Sequence, residues 1–501
     1  MPEGLDRYAR LDLADLEPLD VTAVARRVRR RGRTRRGALV GALAVAALAV
    51  GAYAVIPADG EDSQEVITGP DDPAGFVLEG PSVGTWSQAA DPPFPARLDL
   101  EPIALDDGRI LFFGGVPYME QQNPGAPPVW FPDGGIYDPS ANAWEELPPM
   151  PLPDDVTIIG PSGGVVFTSV QVVDDQLAVV ANGTGNVVAA GIYDLGGGTW
   201  ETAPPLLDVD GYADAVGTDG ETIALVRTSE TSADGTPLDR PGPWTLRWSP
   251  GEPGWSEGAP PELVPRSDPG TASRAGMTAV WGGSTLGGGV PLADATPLDD
   301  GAIYDVSADR WSAIPPTASI PGLIDAMVVW EGDTELIVGQ GFYSNPPPDG
   351  AAGAVAAFDV ASQRWRDLPA PPPIRTPSLD DVQPSGPATM SGGLSLIPSD
   401  AVIAMGQTGG TDAHGWYLDT DAWRRAPHPG VATGTDLVVS YDKENPDAFR
   451  MAVRDGADRW RPTEPPDDLG QPLVGGLGQG SVVLLSHDGG VLHAWLLTTD
   501  P

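Results

Sequence analysis

The residue types that most often carry out chemistry are scarce in this chain. It holds no cysteine and only four histidines, His414, His428, His487 and His493. Thiolate nucleophiles, disulfides and thiolate metal sites are therefore excluded, and a metal centre would have to lean on carboxylates. Carboxylates are plentiful, 70 Asp and Glu against 28 Lys and Arg. The segment Asp208-Val209-Asp210-Gly211-Tyr212-Ala213-Asp214 has acids at calcium-like spacing, but it lacks a distal bidentate glutamate. A turn explains the same composition. The Asp pairs at 106–107, 154–155, 174–175, 299–300 and 380–381 read as turn formers. Glycoside hydrolysis needs two carboxyls at a set separation, and this sequence nominates no pair. Nor does it hold a phosphate-binding loop, a nucleophile elbow or triad spacing. The histidines read as surface or hairpin residues. No catalytic residue, cofactor or metal ligand is nominated.

The elements that would position a site are far more legible, because one pattern repeats through most of the chain. Trp144, Trp200, Trp255, Trp311, Trp365 and Trp423 are separated by 56, 55, 56, 54 and 58 residues. Seven positions before each stands another aromatic: Tyr137, Tyr193, Trp248, Tyr304, Phe358 and Trp416. The segments read IYDPSANAWEELPP, IYDLGGGTWETAPP, RWSPGEPGWSEGAPP, IYDVSADRWSAIPP, AFDVASQRWRDLPAP and WYLDTDAWRRAPHP. Each describes a hairpin: a β-rich run ends at Tyr-Asp or its variant, a tight polar turn follows, and Trp opens the next strand. Two further apolar runs precede each hairpin, such as 102–105 and 109–113, the second closed by Gly114-Gly115. Four short strands in about 55 residues make one blade of a β-propeller, whose radial repetition leaves only short, protected edges.

The run GRILFFGG at 108–115, followed by YDPSANAWEELPPMP at 137–151, resembles the kelch repeat. The likeness covers residues 76 to about 430, with altered double glycines at Asn182-Gly183 and Gly339-Gln340-Gly341. It implies an all-β, kelch-like propeller. Members of that family are mostly binding modules, with some sugar oxidases and isomerases. The oxidases hold copper beside a tyrosine linked to cysteine, a group that a chain without cysteine cannot form. Ser486 to His493 approaches the Asp-box turn of sialidase-type propellers, which identifies a hairpin only. Trp86 reads as the last strand of a blade whose other strands lie in SVVLLSHDGGVLHAWLL at 481–497, so both ends of the repeat region close one blade. Six regular repeats and this closing blade give seven blades, with eight as the alternative and Trp460 marking a degenerate extra segment.

Turns joining first to second strands, and third to fourth, are tight, whereas the remaining connections are long. All elaboration thus falls on one face, where loops on a rigid scaffold carry function. The candidate ligand anchors there are Tyr118, Trp130, Phe342 and Tyr343 in second-to-third-strand loops, and Arg97, Arg266, Arg274 and Arg375 between blades. The arginines either meet an anionic group or pair with nearby carboxylates.

Residues 1–37 carry ten arginines and six acids, which leaves 18 basic and 64 acidic groups in 38–501, a net charge of −46. So acidic a body repels phosphate backbones, and no nucleic-acid partner is expected. Residues 38–56, ALVGALAVAALAVGAYAVI, are uncharged and reach roughly 28 Å as a helix, enough to cross a bilayer. Arginines before this stretch and acids after it predict a cytoplasmic N-terminus. The expected organisation is a cytoplasmic arginine-rich helical segment (1–37), a transmembrane helix (38–56), an acidic Pro/Gly linker (57–75) and an extracytoplasmic propeller (76–501). The alternative is secretion after cleavage near Ala52-Tyr53-Ala54. The expected partners are the lipid bilayer and a protein or glycan at the cell surface. Two further readings are a carbohydrate-active enzyme and a single-pass sensor with a cytoplasmic docking helix.

Overall fold

The structure, a computed structural model, describes residue 82 and most of 84–501. The longer stretches outside the described residues are 1–81, 118–129, 153–166, 183–187, 207–212, 230–241, 286–295, 340–354, 370–393, 406–414, 427–431 and 442–448. The chain forms two compact units, Met1–Val66 and Ile67–Pro501. The whole first unit, with the expected membrane helix 38–56, lies outside the described residues. No helix among the described residues is long and apolar enough to cross a membrane.

Within the second unit the sheets are antiparallel and follow chain order. Blade 1 holds Glu101–Ala104, Ile110–Phe113, Gly134–Asp138 and Ala143–Leu147; blade 2 holds Phe167–Val173, Gln176–Asn182, Val188–Asp194 and Thr199–Thr202. Blade 3 holds Ala215–Thr218, Ile223–Arg227, Trp244–Trp248 and Ser256–Glu257; blade 4 holds Gly270–Arg274, Met277–Trp281, Gly301–Asp305 and Arg310–Ile314. Blade 5 holds Met327–Glu331, Glu335–Gly339, Val355–Asp359 and Arg364–Asp367. At the sixth position stand two hairpins, Leu394–Ile397 with Val402–Met405 and Gly415–Asp419 with Ala422–Ala426. Blade 7 holds Ala432–Gly434, Leu437–Tyr441, Phe449–Asp455 and Arg459–Thr463.

The eighth sheet joins distant parts of the chain. Gln471–Gly478, Ser481–Asp488 and Val491–Thr498 are completed by Thr85–Gln88, which pairs Thr85 with Thr498 and Gln88 with Trp495. Closure by both ends of the repeat region is as expected. Seven sheets among the described residues are four-stranded, as expected, and the two hairpins at the sixth position take an eighth place, the alternative count; the segment around Trp460, expected as a degenerate extra, is a full four-stranded sheet. It escapes the repeat pattern because Arg454 stands opposite Trp460, where blades 1 to 5 place an aromatic.

The apolar cores lie between blades. Ile110–Phe113 is buried throughout, as is Ile223–Arg227, because neighbouring sheets cover both faces of these strands. One core joins Leu111, Phe113 and Ile136 of blade 1 to Val170, Leu177 and Val179 of blade 2. Equivalent cores join blades 2 and 3, 3 and 4, 4 and 5, 7 and 8, and 8 and 1.

The tryptophan ladder explains how neighbouring blades are latched. Each ring packs on its cross-strand aromatic, with centroids 5.0 Å apart for Tyr137–Trp144, 5.1 Å for Tyr193–Trp200, 6.4 Å for Trp248–Trp255, 5.1 Å for Tyr304–Trp311 and 5.2 Å for Phe358–Trp365. Each indole N–H then donates to a carbonyl of the preceding blade's trailing segment. Trp144 reaches Ala90 (2.8 Å), Trp200 Pro148 (2.8 Å), Trp255 Pro204 (2.8 Å), Trp311 Ala259 (2.9 Å) and Trp365 Pro315 (2.8 Å). Every acceptor stands four residues after the preceding blade's own tryptophan. A prolyl carbonyl serves as well as an alanyl one, because proline lacks only the N–H.

Where that acceptor residue is alanine, its free N–H also finds a partner. Ala90 N–H donates to Asn142 Oδ1 (2.8 Å) and Ala259 N–H to Asp309 Oδ1 (2.7 Å). The same oxygens accept from Tyr137 (2.9 Å) and Tyr304 (2.6 Å). Where the acceptor is Pro148, Pro204 or Pro315, the corresponding turn residue is Gly198, Pro253 or Gln363 instead. Trp416 departs from the expected pattern. Asp419 pairs with Ala422, so Trp423 stands opposite Leu418 and Trp416 opposite Arg425. Only 420 and 421 lie within that turn, against 139–142 in blade 1.

The latch predicts a graded response at Trp144. Trp144→Phe keeps the ring contacts with Tyr137 and Phe94 and removes one hydrogen bond, costing about 1 kcal/mol. Trp144→Ala also empties the site and costs about 3–5 kcal/mol. Denaturant unfolding followed by circular dichroism checks the order, which fails if the two variants unfold together.

Candidate functional site

Strand direction sorts the connections onto two faces. On one lie the turns within hairpins: residues 105–109, 174–175, 219–222 and 275–276 between first and second strands, and 139–142, 195–198, 306–309 and 360–363 between third and fourth. These turns cap themselves. Asp138 Oδ1 accepts from Ser140 N–H (2.8 Å) and Ala141 N–H (3.1 Å), and Asp194 Oδ1 from Gly196 and Gly197 N–H (both 2.9 Å). Hydrogen bonds to its carboxylate hold Asp138 below the usual carboxylate range. The opposite face carries the long connections, with Phe113 followed by Gly134 and Trp281 by Gly301 in the two second-to-third-strand examples. The chain enters at Thr85, beside Thr498, on the short-turn face.

The bases of the long loops are laced by two buried arginines in matching places. Arg97 Nη1 donates to Gly114 O (3.0 Å) and pairs with Asp133 Oδ1 (2.5 Å), its guanidinium lying 4.8 Å from the Phe94 ring and 4.3 Å from the Phe131 ring. Arg266 Nη1 donates to Gly282 O (3.1 Å) and Asp300 O (3.0 Å), and Nη2 lies 2.9 Å from Asp300 Oδ1. Each stands four residues before the innermost strand of its blade, each acid immediately before the third strand. Burial lowers both arginine pKa values and the facing carboxylates oppose the shift.

The double glycines make this lacing possible. Gly282 and Gly283 have φ of 67° and 91°, and a Cβ would stand 2.4 Å from Leu323 O or 2.7 Å from Ser267 O. Ser267 and Ser284 exchange two backbone hydrogen bonds (2.9 and 2.8 Å), while Gly283 N–H reaches Leu323 O (2.7 Å) in the next connection. On the other side Arg266 N–H reaches Thr228 O (3.0 Å). The loop bases of blades 3, 4 and 5 thereby form one hydrogen-bonded platform.

Blade 3 has Thr228-Ser229 in place of two glycines and solves the same problem with a carboxylate. Asp214 Oδ2 accepts from Thr228 N–H (2.5 Å), Thr228 Oγ1 (2.9 Å) and Ser229 N–H (3.3 Å). Burial raises the Asp214 pKa, against the pull of Thr228 and Arg227. The one described carboxylate of the calcium-like segment is thus engaged by the protein itself. No group of three potential metal ligands occurs among the described residues.

The proposed anchors fall in different places. Arg97 and Arg266, 0% and 1% exposed, are loop-lacing residues with no surface to offer a ligand. Trp130, 2% exposed, packs into the core between blades 1 and 2 with Phe113 rather than standing open on a loop. Arg274 ends the innermost strand of blade 4 instead of lying between blades. Tyr118, Phe342, Tyr343 and Arg375 lie outside the described residues, as do His414 and His428. His487 and His493 stand in the expected hairpin, where Ser486 pairs with His493 and His487 with Leu492, and His487 is buried there. The sequence reading missed Asp133, took Asp300 for a turn former and Asp214 for part of a calcium-like segment, and left out Arg227. Aligning the blades on Gly-Gly would have exposed the first two as partners of the recurring arginine.

Between blades 3 and 4 the acceptor Asp309 is also paired with Arg247 (3.2 Å). Burial alone would raise its pKa, but Tyr304, Ala259 N–H and Arg247 bring it below the usual carboxylate range. A depressed folded value means that this contribution to stability is present above the unfolded pKa, about 3.9, and lost as pH falls through the folded one. Asn142 shows that an amide fits the same place in blade 1. Asp309→Asn is therefore expected to cost about 1 kcal/mol at neutral pH. The deficit vanishes near pH 2; a pH-independent deficit in chemical unfolding would contradict this origin.

No family model matches the chain. The curated Kelch-like protein terF of Aspergillus terreus (strain NIH 2624 / FGSC A1156) is 30% identical over 135 residues, 25% of this chain and 26% of that protein. The chain thus matches about a quarter of the relative's length. A solved structure titled Structure of YjhT aligns at a TM-score of 0.34 and 11% identity, over 68% of this chain and 100% of that one, and the fold assignment does not rest on it. The strand order makes the second unit a β-propeller, and about a quarter of the chain is similar to a kelch-like protein.

Proposed function

We propose that the protein is a membrane-tethered binding module whose long-loop face engages a protein or glycan partner outside the cytoplasm. The observation that carries this reading is the asymmetry of the two faces. Tight turns, several of them self-capped, occupy one face apart from residues 249–255, and the longest connections leave from the other, which is laced at its base by Arg97, Arg266 and Asp214. A laced base holds loops at fixed separation, which reduces the ordering cost of binding. The uncharged run 38–56, with arginines before it and acids after it, supports the tether and its direction.

Two measurements test the proposal together. Protease added to intact cells is expected to remove the propeller and leave an N-terminal fragment protected; complete protection would refute the orientation. Photo-crosslinkers placed at 118 and 342 are expected to capture a partner, whereas those at Asp106 and Ser140 on the short-turn face capture none. Equal capture from both faces would refute the loop-face assignment.

A further inference from the structure

The outermost strands form the rim of the propeller, and the residue after each repeat tryptophan takes the same place in register. Ile136 faces Glu145, Ile192 faces Glu201, Arg247 faces Ser256, Ile303 faces Ser312, Ala357 faces Arg366 and Val453 faces Arg461. In the sixth position Tyr417 faces Arg424. This place is acidic in blades 1 and 2, a serine in blades 3 and 4, and arginine in blades 5 to 7.

The neighbouring rim positions follow the same trend. The outermost strands of blades 1 to 3 carry Glu145, Glu146, Glu201 and Glu257 and no basic residue. Those of blades 5 to 7 carry Arg364, Arg366, Arg424, Arg425, Arg459 and Arg461, with Asp367 their one acid. Six of the 18 basic residues in 38–501 therefore sit on three short strands of a strongly acidic body. Counted round eight positions in chain order, blades 1 to 3 lie across from positions 5 to 7.

Internal pairing preserves this polarity. In blade 1, Arg109 pairs with rim Glu145 (3.2 Å); in blade 5, Glu335 pairs with rim Arg366 (2.7 Å). Arg109 precedes Ile110, which faces Tyr137, and Glu335 precedes Leu336, which faces Phe358, so the pairs occupy equivalent places. Each blade keeps one cation and one anion, but the order is reversed so that opposite signs lie outermost. A stabilising ion pair alone has no need of that reversal.

We propose that the arginine rim of blades 5 to 7 docks against the glutamate rim of blades 1 to 3 on a second copy of this chain. The complementary charge on the same molecule selects this occupant. The contact joins two different patches, so it is heterologous and extends into rows rather than closing as a pair. Every copy is net negative, so the contact is weak and limited to short range, where the opposed rims outweigh the repulsion of the bodies.

The test is sedimentation velocity of the full chain in detergent micelles, over a concentration series at about 0.1 M and about 1 M salt. The mass is expected to rise with concentration at low salt and to remain that of a single chain at high salt. Glu146→Lys with Glu201→Lys and Glu257→Lys leaves one acid against three lysines and makes both rims basic, and Arg364→Glu with Arg424→Glu and Arg425→Glu makes both acidic. Each variant alone is expected to stay single while a 1:1 mixture assembles, a rescue that damage to folding cannot produce. A wild type that stays single at every concentration, a mixture that does not assemble, or assembly unaffected by both variants overturns the proposal. So does retention on heparin that depends on the arginines without any self-association, which would assign the rim to a polyanion.

Discussion

One hydrogen bond, repeated from blade to blade, sets the spacing of this protein. A propeller blade has apolar faces that need neighbours, but hydrophobic contact is non-directional and would tolerate many relative placements. The indole N–H of each repeat tryptophan removes that freedom. It must satisfy its donor on the carbonyl four residues beyond the preceding tryptophan, and in five consecutive blades it does. The ring of the same side chain packs on the aromatic across its hairpin. One residue thus fixes the hairpin, its blade and the preceding blade at once, which explains its recurrence at intervals of 54 to 58 residues.

The two faces follow from the same geometry. Hairpin turns must be short to keep tyrosine opposite tryptophan, so they have no room to vary. Variation is displaced to the connections on the other face, and there the protein needs a different device to hold long segments at their bases. In blades 1 and 4 the device is a buried arginine reaching a double glycine and an aspartate. In blade 3 it is Asp214 receiving the N–H groups of Thr228 and Ser229. Both place a charged group where backbone donors or acceptors would otherwise lack partners, a costly omission in a buried site.

Much of this was legible in the sequence because it rests on periodicity. The tryptophan spacing, the Tyr-Asp turns and the closing role of Trp86 all leave local marks. Blade 7 was not legible as a blade, since Arg454 replaces the aromatic and Trp460 follows Trp423 at an irregular interval. The sixth pair was misread because a turn two residues shorter shifts register without changing the spacing of the aromatics. The arginines were read by their rarity, which points equally to a ligand or to a carboxylate. Their partners Asp133 and Asp300 stand 36 and 34 residues away in sequence, and only the fold brings them together. Tyr118, Phe342, Tyr343 and Arg375 fall outside the described residues and remain expectations of the sequence.

The central claim is that the strand Thr85–Gln88 completes the sheet of Val491–Thr498 and so closes the propeller. The chain has no cysteine of its own, so Thr85→Cys with Thr498→Cys tests this pairing on a clean background. Directly opposed residues of an antiparallel pair lie within reach of a disulfide. Oxidation should yield an intrachain bond in nearly every molecule, seen as a linked peptide pair by mass spectrometry and abolished by reductant. Thiols that stay free, or that link only between chains, would contradict the closure.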